Sequence, residues 1–181
     1  MKNNRIILTG EKQTGKSTAC RRLLDTLAPK SLFGFRTFRT PEGFALSAWN
    51  GRSVPFAFWK SAGREYEDLQ IDLSVFNSTG TETLIPPSPA AWLAMDELGI
   101  MEQRARDFAS AVRTAWASPN PGIAVIQKRA LDFWLNELKE NPCPVYEITP
   151  VNRDAAPKAL AGMLASETVP AVAAFVFLQI G

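Results

Sequence analysis

The chain has 181 residues, of which 46% are hydrophobic and 21% charged, a composition typical of one globular domain spanning residues 1–181. Its formal net charge of +2 gives no reason to expect a nucleic-acid or membrane partner. Histidine is absent, which excludes Ser-His and Cys-His catalysis and every histidine-ligated metal site. Only two cysteines occur, without CxxC spacing, and the N-terminus is short and polar, so we expect a cytoplasmic protein.

The first part of the chain predicts a strand, a loop and a helix in that order. Residues 5–9 form a short, continuously apolar run that is typical of a buried strand in a parallel sheet. A glycine-bounded loop follows at 10–15. Residues 16–28 have helical character with leucines along one side, and Pro29 ends the pattern.

The middle of the chain predicts an antiparallel β insert at about residues 41–76. Strand-like runs occupy residues 32–40, 44–49 and 54–59, and an imperfect alternation over 68–76 fits one more strand. Asn50-Gly51 predicts a tight hairpin between two of these runs, because both residues tolerate a positive φ.

The second half alternates strands with helices. Apolar strands are predicted at 91–95, 123–126 and 144–148, and helices at 102–116, 130–140 and 154–165. This order predicts a three-layer α/β fold, a mainly parallel sheet flanked by helices, in which ligands bind at the carboxyl ends of the strands. The apolar C-terminal tail, 167–181, is expected to be buried as an added strand or against another subunit.

A phosphate-binding loop is the strongest motif. Residues 10–17 read G-E-K-Q-T-G-K-S and match G-x-x-x-x-G-K-[ST] between a predicted strand and a predicted helix. In such a P-loop the backbone N–H groups and the helix N-terminus hold phosphate, the lysine reaches the β- and γ-phosphates, and the serine hydroxyl ligates Mg²⁺. The predicted nucleotide-binding residues are Gly10, Glu11, Lys12, Gln13, Thr14, Gly15, Lys16, Ser17 and Thr18.

A second motif places two carboxylates at the end of an apolar strand. Asp96 occupies the position where P-loop enzymes place the acid that holds Mg²⁺, so the predicted metal ligands are Ser17 and Asp96. Glu97 is the predicted catalytic base, acting with Lys16, because hydrolysis needs a base near the γ-phosphate and the chain offers no histidine. The alternative is that these acids cap a helix or loop after the strand.

Together these segments resemble the small P-loop nucleoside-triphosphatase family that includes the cancer-related nucleoside-triphosphatase. The resemblance rests on residues 5–17, 34–37, 96–102 (D-E-L-G-I-M-E) and 147–154 (E-I-T-P-V-N-R-D). It implies a RecA-like or kinase-like sheet with a β insert, and slow hydrolysis of ATP, GTP and other triphosphates with little base preference. Ile100 stands where the family usually has lysine, and Gln127 stands where a Thr-Ile-Pro ending is usual.

Several residues keep two interpretations. Asn152 and Arg153 follow the last predicted strand and either contact the nucleotide, as this loop often does in P-loop folds, or lie at a helix start capped by Asn152 or Asp154. Three arginines could stabilise the phosphates or simply be solvated: Arg36, Arg39 and Arg129. The aromatic residues of the insert, Trp49, Phe56, Phe58 and Trp59, form either a small core or a partner or base-stacking surface.

Three functions therefore remain open. The first is Mg²⁺-dependent hydrolysis of nucleoside triphosphates with broad base preference, consistent with the absence of a guanine-specificity N-K-x-D motif. The second is a small-molecule or nucleotide kinase, and the third a nucleotide-binding regulatory protein with little turnover. The expected partners are a nucleoside triphosphate such as ATP or GTP and, through the apolar tail or the β insert, a second copy of the chain.

Overall fold

The computed structural model describes residues 4–61, 68–166 and 175–178. The strands are β1 (Arg5–Thr9), β2 (Leu32–Arg39), β3 (Gly43–Ala48), β4 (Ser53–Trp59), β5 (Leu69–Ile71), β6 (Trp92–Leu98), β7 (Gly122–Ile126), β8 (Pro144–Glu147) and β9 (Val176–Leu178). The α-helices are α1 (Lys16–Leu27), α2 (Leu73–Val75), α3 (Thr81–Thr83), α4 (Arg106–Ala117), α5 (Leu131–Glu137) and α6 (Ala156–Ala165). Shorter turns are a π-helical Phe76–Gly80 and 3₁₀ turns at Glu102–Arg104 and Lys128–Ala130.

These strands form one sheet. Among the described residues the order is β5-β4-β3-β2-β6-β7-β1-β8-β9. Neighbouring strands run parallel in the part of the sheet with the order β2-β6-β7-β1-β8-β9. β3, β4 and β5 pair in antiparallel fashion and extend the sheet beyond β2. The predicted mainly parallel α/β fold with an antiparallel insert is therefore confirmed.

Helices cover both faces of the sheet because its central strands are apolar on both sides. All five residues of β1 and of β7 are buried. On one face the core holds Phe35, Phe76, Phe108 and Trp134. On the other face residues of α1 and α6 pack against the sheet, with Leu23 and Leu160 almost fully buried. This three-layer packing keeps the central strand ends rigid, and the motifs lie at those ends.

The hairpin between β3 and β4 is confirmed, but the predicted reason for it is wrong. Neither Asn50 nor Gly51 is among the residues with positive φ. The strands end at Ala48 and resume at Ser53, so the connection is longer than the two-residue turn that requires positive φ at both positions.

The strand predicted over 68–76 is only partly correct. β5 ends at Ile71, and the Asp72 carboxylate then accepts a hydrogen bond of 3.0 Å from the backbone N–H of Ser74. This bond caps a helical turn, and the helical run that follows buries Val75 and Phe76 in the core. A local capping interaction thus ends the strand at Ile71, although apolar residues continue to Phe76.

Of the C-terminal tail, the structure describes residues 175–178. The expected added strand is confirmed there, because β9 pairs in parallel with β8. Burial within the chain is not, since Val176 is 39% and Phe177 59% exposed at this edge of the sheet. The remaining tail residues, 167–174 and 179–181, lie outside the described part of the chain.

Within the described ranges, no helix has the length and apolar character needed to cross a lipid bilayer.

Candidate functional site

The candidate site lies where three neighbouring strands end. In the sheet, β7 separates β6 from β1, and all three are parallel. Their carboxyl ends therefore bring the P-loop, the Asp96-Glu97 pair and Gln127 to one edge. A cavity of about 600 Å³ opens there. Its lining includes most of the predicted nucleotide-binding residues: Gly10, Glu11, Lys12, Gln13, Gly15, Lys16, Ser17 and Thr18.

The P-loop has the curved backbone that phosphate binding requires. Gln13 and Gly15 have φ of 65° and 97°, in the left-handed region. Gly10 approaches the neighbouring chain so closely that an added Cβ would lie 2.3 Å from the Ile148 carbonyl oxygen. Thr14, which is buried, and Lys16 both donate to the Glu11 carbonyl at 2.9 Å. These contacts hold the loop closed over the start of α1.

Ser17 and Asp96 meet directly. The Ser17 hydroxyl donates to Asp96 Oδ1 at 2.7 Å, although the residues are 79 positions apart in sequence. Asp96 is 5% exposed, and burial, opposed by the Ser17 hydrogen bond, raises its carboxyl pKa to about 6. The charge of neighbouring Glu97 contributes to this rise in the Asp96 pKa, while Arg21 and Arg36 oppose it. The pair presents two hard oxygen donors, the ligand type that Mg²⁺ prefers.

Glu97 faces the P-loop lysine. Its Oε2 lies 3.7 Å from Lys16 Nζ, and its side chain is 23% exposed. The pairing register between β6 and β7 shifts between Asp96 and Leu98. Glu97 therefore lies at a pairing irregularity, where side chains need not alternate between the two faces of the sheet. The peptide bond between Asp96 and Glu97 is cis.

Gln127 is the residue that sequence reasoning missed as part of the site. Its Nε2 donates to Glu97 Oε1 at 2.6 Å, and its side chain packs against Gly99. Gln127 Oε1 is buried and accepts no hydrogen bond from the described residues. The one sequence signal for Gln127 is its position directly after the buried strand β7. That β7 lies between the P-loop strand and the strand with the acidic motif follows only from the sheet order.

Glu102 is a second functional candidate that the sequence did not single out. It is 1% exposed and accepts a hydrogen bond of 3.0 Å from the backbone N–H of Gly99. Burial raises its carboxyl pKa to about 7. Trp134 Nε1 donates to the Gly99 carbonyl at 2.9 Å, so both polar groups of this glycine are bonded. The turn that follows Glu97 is thereby fixed.

Asn152 and Arg153 do not belong to the cavity lining formed by the described residues. The Asn152 side chain accepts from Thr149 N–H and donates to the Glu147 carbonyl, both at 2.9 Å, which fixes the turn after β8. Arg153 packs against Gly15, where its Cδ would lie 3.3 Å from an added Cβ. No side chain caps α6, so the helix-cap interpretation of Asn152 and Asp154 is wrong.

The remaining candidates divide between the cavity and other surfaces. Arg39 and Arg129 line the cavity, whereas the Arg36 guanidinium lies 5.1 Å from the Trp49 ring. Phe56 is fully buried in the core, and Trp59 lines the cavity together with Phe44. The core interpretation is confirmed for Phe56, whereas the base-stacking interpretation stays a prediction for Trp59.

The comparisons with known proteins show the family and the fold. The sequence profile of the family described as NTPase matches residues 5–161. Nucleoside-triphosphatase THEP1 of Metallosphaera sedula is 28% identical over 83% of this chain and 81% of its own length, and that of Natranaerobius thermophilus is 28% identical over 89% and 96%. A crystal structure of THEP1 from the hyperthermophile Aquifex aeolicus has the same fold, with a TM-score of 0.73 and 23% identity, covering 88% of this chain and 98% of that one.

Proposed function

The chain belongs to the NTPase family, and from this premise we propose that it binds a nucleoside triphosphate with Mg²⁺ and hydrolyses the γ-phosphate with broad base preference. The observation that carries the proposal is the convergence of Lys16 and Glu97, and of Ser17 and Asp96, within hydrogen-bonding or ion-pair distance at the P-loop. These contacts join a phosphate cradle to a metal ligand and a base, the three parts that phosphoryl transfer needs.

Phosphate binding falls to the loop and the start of α1. The backbone N–H groups of the closed loop and the positive end of this 12-residue helix attract the phosphates. Lys16 Nζ, which donates to the Glu11 carbonyl and lies near Glu97, is placed to transfer its hydrogen bond to a phosphate oxygen. Thr18 and Lys12 add polar groups at the cavity surface.

Ser17 and Asp96 fit a divalent cation. Their oxygens are 2.7 Å apart, with Ser17 in the first turn of α1 and Asp96 on β6. Asp96 has a pKa of about 6, so it is mainly ionised at pH 7 and available as a ligand. Ser17 and Asp96 would hold a Mg²⁺ ion here, which would supply positive charge to offset that of the phosphates.

Glu97 takes the proton from the attacking water. Gln127 holds one of its carboxylate oxygens and Lys16 lies close to the other, so the carboxylate has a defined orientation toward the γ-phosphate. Arg153, beside Gly15, lies on the opposite side of the P-loop from Glu97, where the nucleoside would extend.

Two wider parts of the proposal concern the cell and assembly. The free, buried thiols of Cys20 and Cys143 are consistent with a cytoplasmic setting. Exposed apolar side chains on β9 and on the insert, Phe177 and Phe58 among them, support a homo-oligomer.

The test is phosphate release from ATP, GTP, CTP and UTP with Mg²⁺. We expect similar rates for the four triphosphates, loss of binding in Lys16→Ala, and retained binding with turnover reduced at least about 100-fold in Glu97→Gln, as for removal of a general base. Binding is measured separately with a fluorescent triphosphate. Unchanged turnover in Glu97→Gln would remove Glu97 from the base role, and unchanged binding in Lys16→Ala would contradict the whole site.

A further inference from the structure

The cavity has two chemically different ends. One end is the P-loop. The other is formed by Arg39, Phe44 and Trp59, which we call the aromatic wall. The ring centroids of Phe44 and Trp59 are 5.7 Å apart, and the Arg39 guanidinium lies 5.2 Å from the Trp59 ring. Planar rings next to a guanidinium form a surface suited to a planar, polar ligand.

The aromatic wall reaches the catalytic edge through the antiparallel insert. Arg39 ends β2, and its antiparallel register partner Phe44 lies at the start of β3. β4 is antiparallel to β3 and returns to the same edge, where it ends at Trp59. In the sheet order, β6 with Glu97 lies between the P-loop strand and this insert, whereas β8 lies on the far side of the P-loop.

This order places the wall on the side of the attacking group. Displacement at the γ-phosphorus requires the attacking and leaving oxygens to lie roughly in line. With Glu97 as the base, a step that rests on the proposed function, the nucleophile approaches from the side of Glu97. The β-phosphate and nucleoside then extend the other way, toward Arg153 beside Gly15. The nucleotide's own base therefore points away from the aromatic wall.

We propose that the aromatic wall binds a second substrate, a nucleoside whose base stacks on Trp59, with Phe44 inclined at 56° beside it, and whose hydroxyl accepts the γ-phosphoryl group in place of water. Every nucleobase has a face that stacks on an aromatic ring, and the Arg39 guanidinium supplies hydrogen-bond donors beside it.

The chemistry is the same displacement with a different oxygen. The bond from the nucleoside hydroxyl oxygen to the γ-phosphorus forms as the bond from that phosphorus to the β-phosphate oxygen breaks. The nucleoside diphosphate leaves with the electron pair of the broken bond, and the hydroxyl proton passes to the Glu97 carboxylate. The products are a nucleoside diphosphate and a nucleoside monophosphate.

The experiment follows the label of γ-³²P ATP in the full chain with Mg²⁺ and adenosine, guanosine, cytidine or uridine. It measures the share of label on the nucleoside relative to free phosphate, a ratio that corrects for any change in overall turnover. We expect labelled monophosphate from at least one nucleoside. Trp59→Ala should lower the share about tenfold, the cost of one lost stacking contact. Arg39→Gln, a change at an exposed side chain, is the second variant and should lower the share as well.

Phe58→Ala is the matched control. Phe58 precedes Trp59 on β4, is 44% exposed and does not belong to the described cavity lining. Its share of transferred label should equal that of the wild type, and thermal unfolding checks that each variant is folded.

Two results would overturn the inference. One is free phosphate as the sole labelled product with all four nucleosides. The other is a loss of fluorescent-triphosphate affinity in Trp59→Ala as large as its loss of transfer, which would put the triphosphate's own base on the wall. Hydrolysis without a nucleoside reports on the proposed function alone. Transfer of label to a nucleoside without release of free phosphate would contradict the proposed hydrolysis and support nucleoside binding at the aromatic wall.

Discussion

Gln127 holds Glu97, the proposed base, through one short hydrogen bond. Its amide donates to Glu97 Oε1 at 2.6 Å, and its packing against Gly99 leaves the amide little freedom to turn. The amide oxygen is buried on the cavity side of β7 and accepts nothing from the described residues. If Glu97 is the base, as proposed, Gln127 acts through it as a positioning residue.

Replacing Gln127 with leucine should slow turnover without weakening binding in proportion. A hydrogen bond to a charged group contributes about 2 kcal/mol, so we expect kcat to fall by about tenfold or more while KM changes less than about threefold. Steady-state kinetics separate the two constants. Gln127→Asn, which keeps the amide, should recover part of the loss, and Gln70→Leu on exposed β5 should behave as the wild type. A rise in KM with an unchanged kcat would contradict the positioning role.

At the scale of elements, the link between β6 and α4 depends on a buried carboxyl group. Glu102 follows β6 in a 3₁₀ turn and holds the Gly99 N–H at 3.0 Å. Because burial raises the Glu102 pKa from 4.5 to about 7, the native chain binds more protons than the unfolded chain between these pH values. Stability from this group is therefore lost as the pH rises from about 4.5 to 7.

Glu102→Gln should remove this loss, because the amide keeps an acceptor for Gly99 and carries no charge. We expect the variant to gain up to about 3 kcal/mol in free energy of unfolding at pH 8 relative to wild type, and little at pH 4. Denaturant unfolding at both pH values measures the difference. The control is Glu82→Gln on α3, where the side chain is exposed. A gain of the same size at pH 4 would assign the effect to packing instead of charge.

Most elements were predictable because their signals are local. The P-loop and the Asp96-Glu97 pair each follow an apolar run, and both were expected at strand ends. The place of Gln127 was not, since a glutamine after a strand has no local signature and becomes part of the site only through the position of β7 in the sheet. Asn50-Gly51 is a different case. The hairpin predicted from this pair is present, but the positive φ angles on which the prediction rested are not.

At the scale of the whole molecule, one edge of the sheet is incompletely covered. β9 is the last strand of the described sheet, and Val176 and Phe177 are exposed on it. An exposed apolar edge strand offers unpaired backbone groups and apolar side chains to another chain. The opposite end of the sheet, in the insert, exposes Phe58. These are the two surfaces through which we proposed self-association.

Single charges distinguish the two surfaces. If β9 mediates association, Phe177→Lys should shift the protein toward monomer, whereas Phe58→Lys should leave the assembly unchanged, because a lysine at an edge opposes pairing. Sedimentation velocity over a range of protein concentrations measures both. The reverse pattern would assign the interface to the insert, and a wild-type chain that stays monomeric at every concentration would exclude both.

The bond between Ser17 and Asp96 spans 79 positions of sequence and joins β6 to the start of α1. The first 90 residues contain Ser17 but not Asp96, so a ribosome that has released only these residues has made the P-loop without its acidic counterpart. Under the proposed function, affinity for a nucleotide with its cation arises only when the sheet is assembled. By mass action, a ligand that binds only the native state raises the free energy of unfolding with the logarithm of the ligand concentration. The cellular nucleotide concentration would therefore contribute to the stability of this chain.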